Sequence, residues 1–264
     1  MNTHAMKQIL TIMSVAILAL TSCTGGDNAK PTDGQATYVY PDSSVYEGNW
    51  QAGKRSGQGT MVWSDGNRYE GEWSNDLPNG QGCYTWADGN SFEGEFRDSV
   101  PDGQGRYTWA NGAYYVGGYS NGHPNGEGKY LARDGSMKEG TFVDGRLEGY
   151  GVAINEFTEK YTGNFHRGLP DGEGTMEYPN GDKYVGNWER GKSEGKGTYY
   201  YSSGSVYRGD FHHGSAEGYG IYTWEDGNRY EGNWKHDMRN GTGKLTTTDG
   251  EVFEGEWYND EFVG

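Results

Sequence analysis

A period of 23 residues constrains this sequence more than any other feature. The period runs without insertion or deletion from Tyr46 to the last residue, and a partial unit precedes it. Strict repeats of this length form arrays in which each unit covers its apolar face with its neighbours. The units begin at Tyr46, Tyr69, Phe92, Tyr115, Lys138, Tyr161, Tyr184, Tyr207, Tyr230 and Phe253.

Each unit predicts two β-strands. The third position is Gly and the fifth is aromatic in all ten units, and both stand in "YEGEW" at residues 69–73. "GCYTW" at residues 82–86 has the same alternation, which is the period of a half-buried strand and not of a helix. Each unit is therefore a predicted hairpin, and consecutive units are expected to pair into an antiparallel meander.

Two turns per unit join these strands. "SNDLPN" at residues 74–79 is predicted to be the longer, polar turn. Asp88-Gly89 in "ADGN" is predicted to be a two-residue type I′ turn, because that turn needs positive φ at both central positions.

The glycines lie on the same face as the aromatic residues, so a neighbouring ring can lie directly over the backbone. Glycine weakens a strand, but ring-to-ring packing offsets that loss by about 0.5–1.5 kcal/mol per pair. The predicted fold is all-β: an elongated, twisted, single-layer and solenoid-like antiparallel meander of tandem 23-residue hairpins.

One unit, "YEGNWQAGKRSGQGTMVWSDGNR" at residues 46–68, resembles a MORN repeat. The resemblance extends over about residues 34–264. It implies an array of antiparallel hairpins that serves as a scaffold, a dimerisation surface or a membrane-associated module. The kinase or methyltransferase domains that sometimes accompany such arrays have no counterpart in this sequence. The matching positions are Tyr46, Gly48, Trp50, Gly53, Lys54, Gly57, Gly59, Asp65 and Gly66.

The first 23 residues have the layout of a secretory signal: Lys7, an apolar run over residues 9–20, then small or polar residues before Cys23. A membrane-spanning helix or a plain secreted protein are the alternatives. Residues 20–23, "LTSC", resemble the bacterial lipobox, which implies acylation of Cys23 by chains such as palmitate. The expected division is a lipoprotein signal peptide at 1–22, a flexible tether at 23–35 and the repeat array at 36–264.

The chain is strongly acidic, with a formal net charge of −16. Nucleic-acid binding depends on Lys and Arg against phosphate, so this charge argues against a DNA or RNA partner. Cys83 is the only cysteine after Cys23, so no internal disulfide is expected once Cys23 is acylated.

No catalytic constellation stands out from the repeat. Gly-x-Gly recurs in the units, whereas a phosphate loop needs one copy between a strand and a helix. Paired carboxylates such as Glu70 and Glu72 face water. We therefore expect no enzyme activity, no cofactor and no metal. The histidines after the signal fall in turns and lack a metal-binding spacing: His123, His166, His212, His213 and His236.

Two surfaces are candidate binding sites. The first is the predicted aromatic face with its nine tryptophans: Trp50, Trp63, Trp73, Trp86, Trp109, Trp188, Trp224, Trp234 and Trp257. The second is an irregular patch in the middle of the array, where the aromatic pattern fails in units four and five: Ala132, Lys138, Ala153 and Asn155. Repeat decay explains the patch, and a bend or a notch for a partner is the functional interpretation.

These observations favour a non-enzymatic, lipid-anchored scaffold or protein-interaction module at a bacterial cell envelope. Its expected partners are the membrane, through the acyl chains, and a protein or a second copy of the chain. The alternative is a carbohydrate-binding surface protein that stacks its aromatic face on a glycan. An enzyme whose site lies in unit five is the third interpretation.

Overall fold

The computed structural model describes residues 29–264. The predicted signal peptide, Cys23 and the start of the tether lie outside these residues. The rest of the chain forms one compact unit, residues 31–264. Its first strand begins at Gly34, two residues before the predicted start of the array. No helix within residues 29–264 has the length and apolar character needed to cross a membrane.

All of the regular structure in this unit is β-sheet. Each strand pairs antiparallel with the next strand along the chain, from the first pair to the last. The predicted all-β meander of tandem hairpins is confirmed. The strands are β1 Gly34–Val39, β2 Val45–Gln51, β3 Lys54–Val62, β4 Arg68–Ser74, β5 Leu77–Thr85, β6 Ser91–Arg97, β7 Val100–Thr108, β8 Tyr114–Ser120, β9 His123–Leu131, β10 Met137–Val143, β11 Arg146–Ile154, β12 Lys160–His166, β13 Leu169–Glu177, β14 Lys183–Glu189, β15 Lys192–Tyr200, β16 Val206–His212, β17 Ser215–Thr223, β18 Arg229–Lys235, β19 Met238–Thr246, β20 Val252–Tyr258 and β21 Glu261–Phe262.

The prediction for the two turns was wrong, because their lengths are exchanged. Strand β5 begins at Leu77, so only Asn75 and Asp76 link it to β4, with φ of 51° and 72°. These values are typical of a type I′ turn. The Asp-Gly loop is the longer one: Gly89 N–H donates to Trp86 O at 3.0 Å, and only the glycine has positive φ.

The aromatic face is built from rings that lie over pairs of glycines. Gly71 and Gly82 are direct partners on β4 and β5, and the buried Tyr69 ring covers both. A Cβ on Gly82 would lie 2.3 Å from the Tyr69 hydroxyl, so no larger residue fits. The Tyr69 hydroxyl donates to the Glu72 carbonyl at 2.9 Å. The predicted reason for the glycines is confirmed.

The fifth repeat fills the same volume from a different position. Lys138 stands where the other units have an aromatic ring, and it is exposed. Leu147 on β11 is 1% exposed and lies against both Gly140 and Gly151. Backbone pairing continues without interruption from β9 to β12. The loss of the ring therefore leaves the sheet intact.

Candidate interaction surface

The nine tryptophans belong to two rows with different exposure. Those at the fifth position of a unit are buried, and their indole N–H groups donate to a carbonyl fourteen residues earlier. Trp73 reaches Gly59 O at 3.0 Å in this way, and Trp234 reaches Gly220 O at 3.1 Å. This row contains Trp50, Trp73, Trp188, Trp234 and Trp257. The others, Trp63, Trp86, Trp109 and Trp224, are half-buried.

Three of the half-buried tryptophans form a continuous row with tyrosines of the adjacent strands. We call this row the long aromatic stripe. Neighbouring ring centroids in it lie between 4.7 and 5.5 Å apart, so each ring contacts the next. One side of every ring packs on the buried core, and the other side is open. The stripe contains Trp63, Tyr84, Trp86, Tyr107, Trp109 and Tyr130.

A second row lies farther along the array, and we call it the short aromatic stripe. Its ring centroids are 4.6–5.9 Å apart. Tyrosines replace most of the tryptophans here. The stripe contains Tyr178, Tyr199, Tyr201, Tyr222 and Trp224.

The predicted irregular patch lies between the two stripes. Lys138 and Ala153 are direct partners on β10 and β11. Asn155 follows β11, where it accepts the N–H groups of Phe157 and Glu159 and shapes the loop. Ala132 occupies the stripe position one unit earlier. The structure therefore brings the four predicted residues to one gap in the aromatic rows.

The opposite face has an apolar row that the sequence analysis missed. Leu131 is the register partner of both Tyr114 and Met137, and Met137 is also the partner of Ile154. We call these four residues the outer ladder. Their positions in the unit are polar in the second repeat, as Thr85 and Ser91 show. The apolar character thus changes faces where the aromatic rows are interrupted.

Acidic loops border both stripes. Burial, and then the charge of Asp65, raises the pKa of Tyr84, and burial followed by Asp88 does the same for Tyr107. In the short stripe, the Tyr199 hydroxyl donates to Asp182 at 2.9 Å. The stripes therefore present neutral phenols beside carboxylates, an arrangement that favours neutral or positively charged ligands.

Cys83, the one cysteine among residues 29–264, is half-buried on β5. Burial is the main cause that raises the pKa of its thiol. The thiol is protonated at neutral pH, which is the opposite of what a nucleophile requires.

Solved structures with similar strands were found, all at low identity. The first is the TCP domain of SAS-4 from Drosophila melanogaster in complex with a proline-rich motif of Ana2. It is 18% identical with a TM-score of 0.38, over 59% of this chain and 86% of that one. The TCP10c domain of Drosophila melanogaster Sas-4 is 15% identical with a TM-score of 0.34, over 69% and 97%. No curated protein matches the chain.

Comparison with protein families identifies the repeat. The MORN repeat matches ten segments between residues 46 and 264, eight of them full units of 23 residues. The fifth match is shortened to residues 139–154, in the unit that lacks the aromatic ring. The chain therefore belongs to the MORN repeat family, whose arrays are repeat-based modules for protein interaction or membrane association.

Proposed function

We propose that this protein is a non-enzymatic, lipid-anchored scaffold of a bacterial cell envelope that holds a protein partner along the long aromatic stripe. The observation that carries the proposal is the row of six half-buried rings in unbroken contact. Partly exposed aromatic residues on a rigid surface dominate the binding energy of protein interfaces. The buried tryptophan row, by contrast, holds the sheet together.

The shape of the stripe favours an extended partner segment. Five steps between neighbouring strands span on the order of 25 Å, which an extended chain covers with about eight residues. The acidic loops that border the stripe favour a segment that is neutral or basic. Binding would leave the sheet unchanged, because the stripe is preformed.

The anchor fits an array of this charge. A net charge of −16 repels the array from anionic lipid headgroups. Acyl chains on Cys23 would supply the membrane affinity that the array lacks, with the tether as a spacer. Replacing Cys23 with Ser should therefore move the protein from the membrane fraction to the soluble fraction.

Two double variants test the stripe with the same chemical change. Tyr84→Ala with Tyr107→Ala removes two rings of the stripe. Tyr200→Ala with Tyr219→Ala removes two exposed rings from the opposite face. Each variant is immobilised and incubated with detergent-solubilised envelope, and its fold is checked by thermal melting. The first variant should lose its protein partner about tenfold or more, and the second should retain it. Equal retention would contradict the proposal.

Carbohydrate binding is the second candidate, favoured by the regular spacing of Trp63, Trp86 and Trp109 in the half-buried row. Indole rings with one open face can stack on a sugar. The five buried tryptophans do not have such a face. Digesting the envelope with protease before the incubation separates the two functions: a retained species that survives digestion supports a glycan, and one that disappears supports a protein.

A further inference from the structure

The short turns that join the two strands of each unit line one edge of the sheet, and an acidic residue recurs beside them. In the fifth unit, a Glu148 oxygen accepts the backbone N–H of Arg167 at 2.7 Å. In the seventh, a Glu194 oxygen accepts the backbone N–H of His213 at 2.9 Å. This bond fixes each carboxylate over the turn of the following unit.

Two histidines meet such a carboxylate at only one of these turns. His212 Nδ1 lies 2.9 Å from one oxygen of Glu194, and His213 Nδ1 lies 3.7 Å from the other. The two imidazole rings are 4.0 Å apart. Within residues 29–264, this is the one group of three His, Cys, Asp or Glu side chains whose ligand atoms all lie within 4.8 Å of one another.

We propose that Glu194, His212 and His213 form a Zn²⁺ site. Two imidazole nitrogens and a carboxylate oxygen are ligands that Zn²⁺ prefers, and three protein ligands leave a fourth position for water. Bonds of about 2.0–2.1 Å in a tetrahedron separate the ligand atoms by roughly 3.3 Å. The two nitrogen–oxygen distances, 2.9 and 3.7 Å, lie on either side of this value.

The local chemistry is compatible with a bound cation. Hydrogen bonds from the His213 backbone and the His212 ring hold the pKa of the Glu194 carboxyl below its usual value, so it is charged at neutral pH. Both imidazole rings are more than half exposed. Small side-chain rotations therefore suffice to close the ligand set, and the backbone need not move.

The array provides its own matched controls. Glu148, His166 and Arg167 occupy the equivalent positions two units earlier, with one histidine in place of two. Arg167 has a φ of 51° and His213 one of 50°, so the turns have the same conformation. His213→Arg therefore reproduces a combination that the fold already contains. His212→Lys does the same, because Lys235 precedes His236 in the next unit.

The test measures Zn²⁺ binding by equilibrium dialysis of the full chain, purified with a tag that contains no histidine. We expect one ion per chain. His213→Arg and His212→Lys should each weaken binding by about tenfold or more, because each removes a ligand. His166→Ala, at the single-histidine turn, should bind as the unchanged protein does. Thermal melting without metal should be the same for all four proteins.

Two results would overturn the proposal. In one, the unchanged protein and His213→Arg bind Zn²⁺ equally well. In the other, binding survives both histidine substitutions and is lost in Cys83→Ser, which would assign the ion to the thiol.

Discussion

The second and the fifth repeats reach the same sheet by different packing. In the second, residues 69–91, the Tyr69 ring covers the paired glycines from the first position of the unit. In the fifth, residues 138–160, Leu147 covers the equivalent pair from the tenth position. The backbone register is the same in both. The comparison shows that the repeat requires an apolar group over each glycine pair, and that more than one position can provide it.

The two repeats differ in how tightly this volume is filled. A Cβ on Gly82 would lie 2.3 Å from the Tyr69 hydroxyl and 2.6 Å from its ring. On Gly151 it would lie 3.1 Å from Leu147, with the Glu139 carbonyl oxygen nearest at 2.8 Å. The flexible leucine leaves more room than the ring, so the fifth repeat is the looser of the two.

The largest expected effect comes from adding a methyl group at these two glycines. Gly82→Ala should lower the free energy of unfolding by about 3 kcal/mol or more, because it displaces a buried ring. Gly151→Ala should cost about 1 kcal/mol, because Leu147 can change rotamer. Neither glycine has positive φ, so backbone strain does not confuse the comparison. Urea unfolding of both variants gives the two values, and equal losses would break the distinction between the repeats.

A smaller effect tests whether positions one and ten share one volume. Leu147→Pro introduces the residue that units two, three and four have at position ten, and it should cost about 3 kcal/mol by emptying the volume. Lys138→Tyr adds a ring where Leu147 already packs, so alone it should not stabilise. Together they restore the pattern of the regular units, and we expect a favourable coupling of about 2 kcal/mol. Additive free energies of unfolding in this cycle would disprove the exchange.

The smallest effect is confined to the regular repeats, because only they have a tyrosine over the glycines. Burial raises the pKa of Tyr115 to about 12. Its contribution to stability is therefore complete below the unfolded pKa near 10 and declines as the pH rises towards 12.

Tyr115→Phe removes this dependence and retains the ring, as Phe92 does in the third unit. At pH 7 it should cost about 1 kcal/mol for the lost hydrogen bond to Gly118 O. At pH 11 the deficit should fall to about zero, because the unchanged protein loses about as much by ionisation. Urea midpoints at the two pH values measure the change. A deficit that is the same at both would contradict it.

Much of this fold follows from local rules that the sequence displays. Alternation in "YEGEW" placed Tyr69, Gly71 and Trp73 on one face, and the structure places them there. The need for glycine beneath the rings followed from the same alternation. Period and alternation are properties of single strands, so they can be recognised without knowledge of the partner strand.

The features that sequence reasoning missed depend on contacts between strands. Alternation cannot distinguish the buried Trp73 from the half-buried Trp86, because burial depends on the rings of the next unit. Asp88-Gly89 also fits the type I turn with a glycine after it, so composition alone misassigned the hairpin. Leu147 could have been found, since the one unit without a ring at position one is also the one with leucine at position ten.

Space follows sequence throughout this sheet, since each strand pairs with the strands just before and after it in the chain. A chain of this kind has low contact order, and forming each new pair closes only a short loop. It can therefore fold progressively from one end while the other end is still being delivered as an extended thread. A protein exported through a narrow membrane channel meets that situation: each hairpin could add to the last one formed as it emerges, with no need to wait for the rest of the chain.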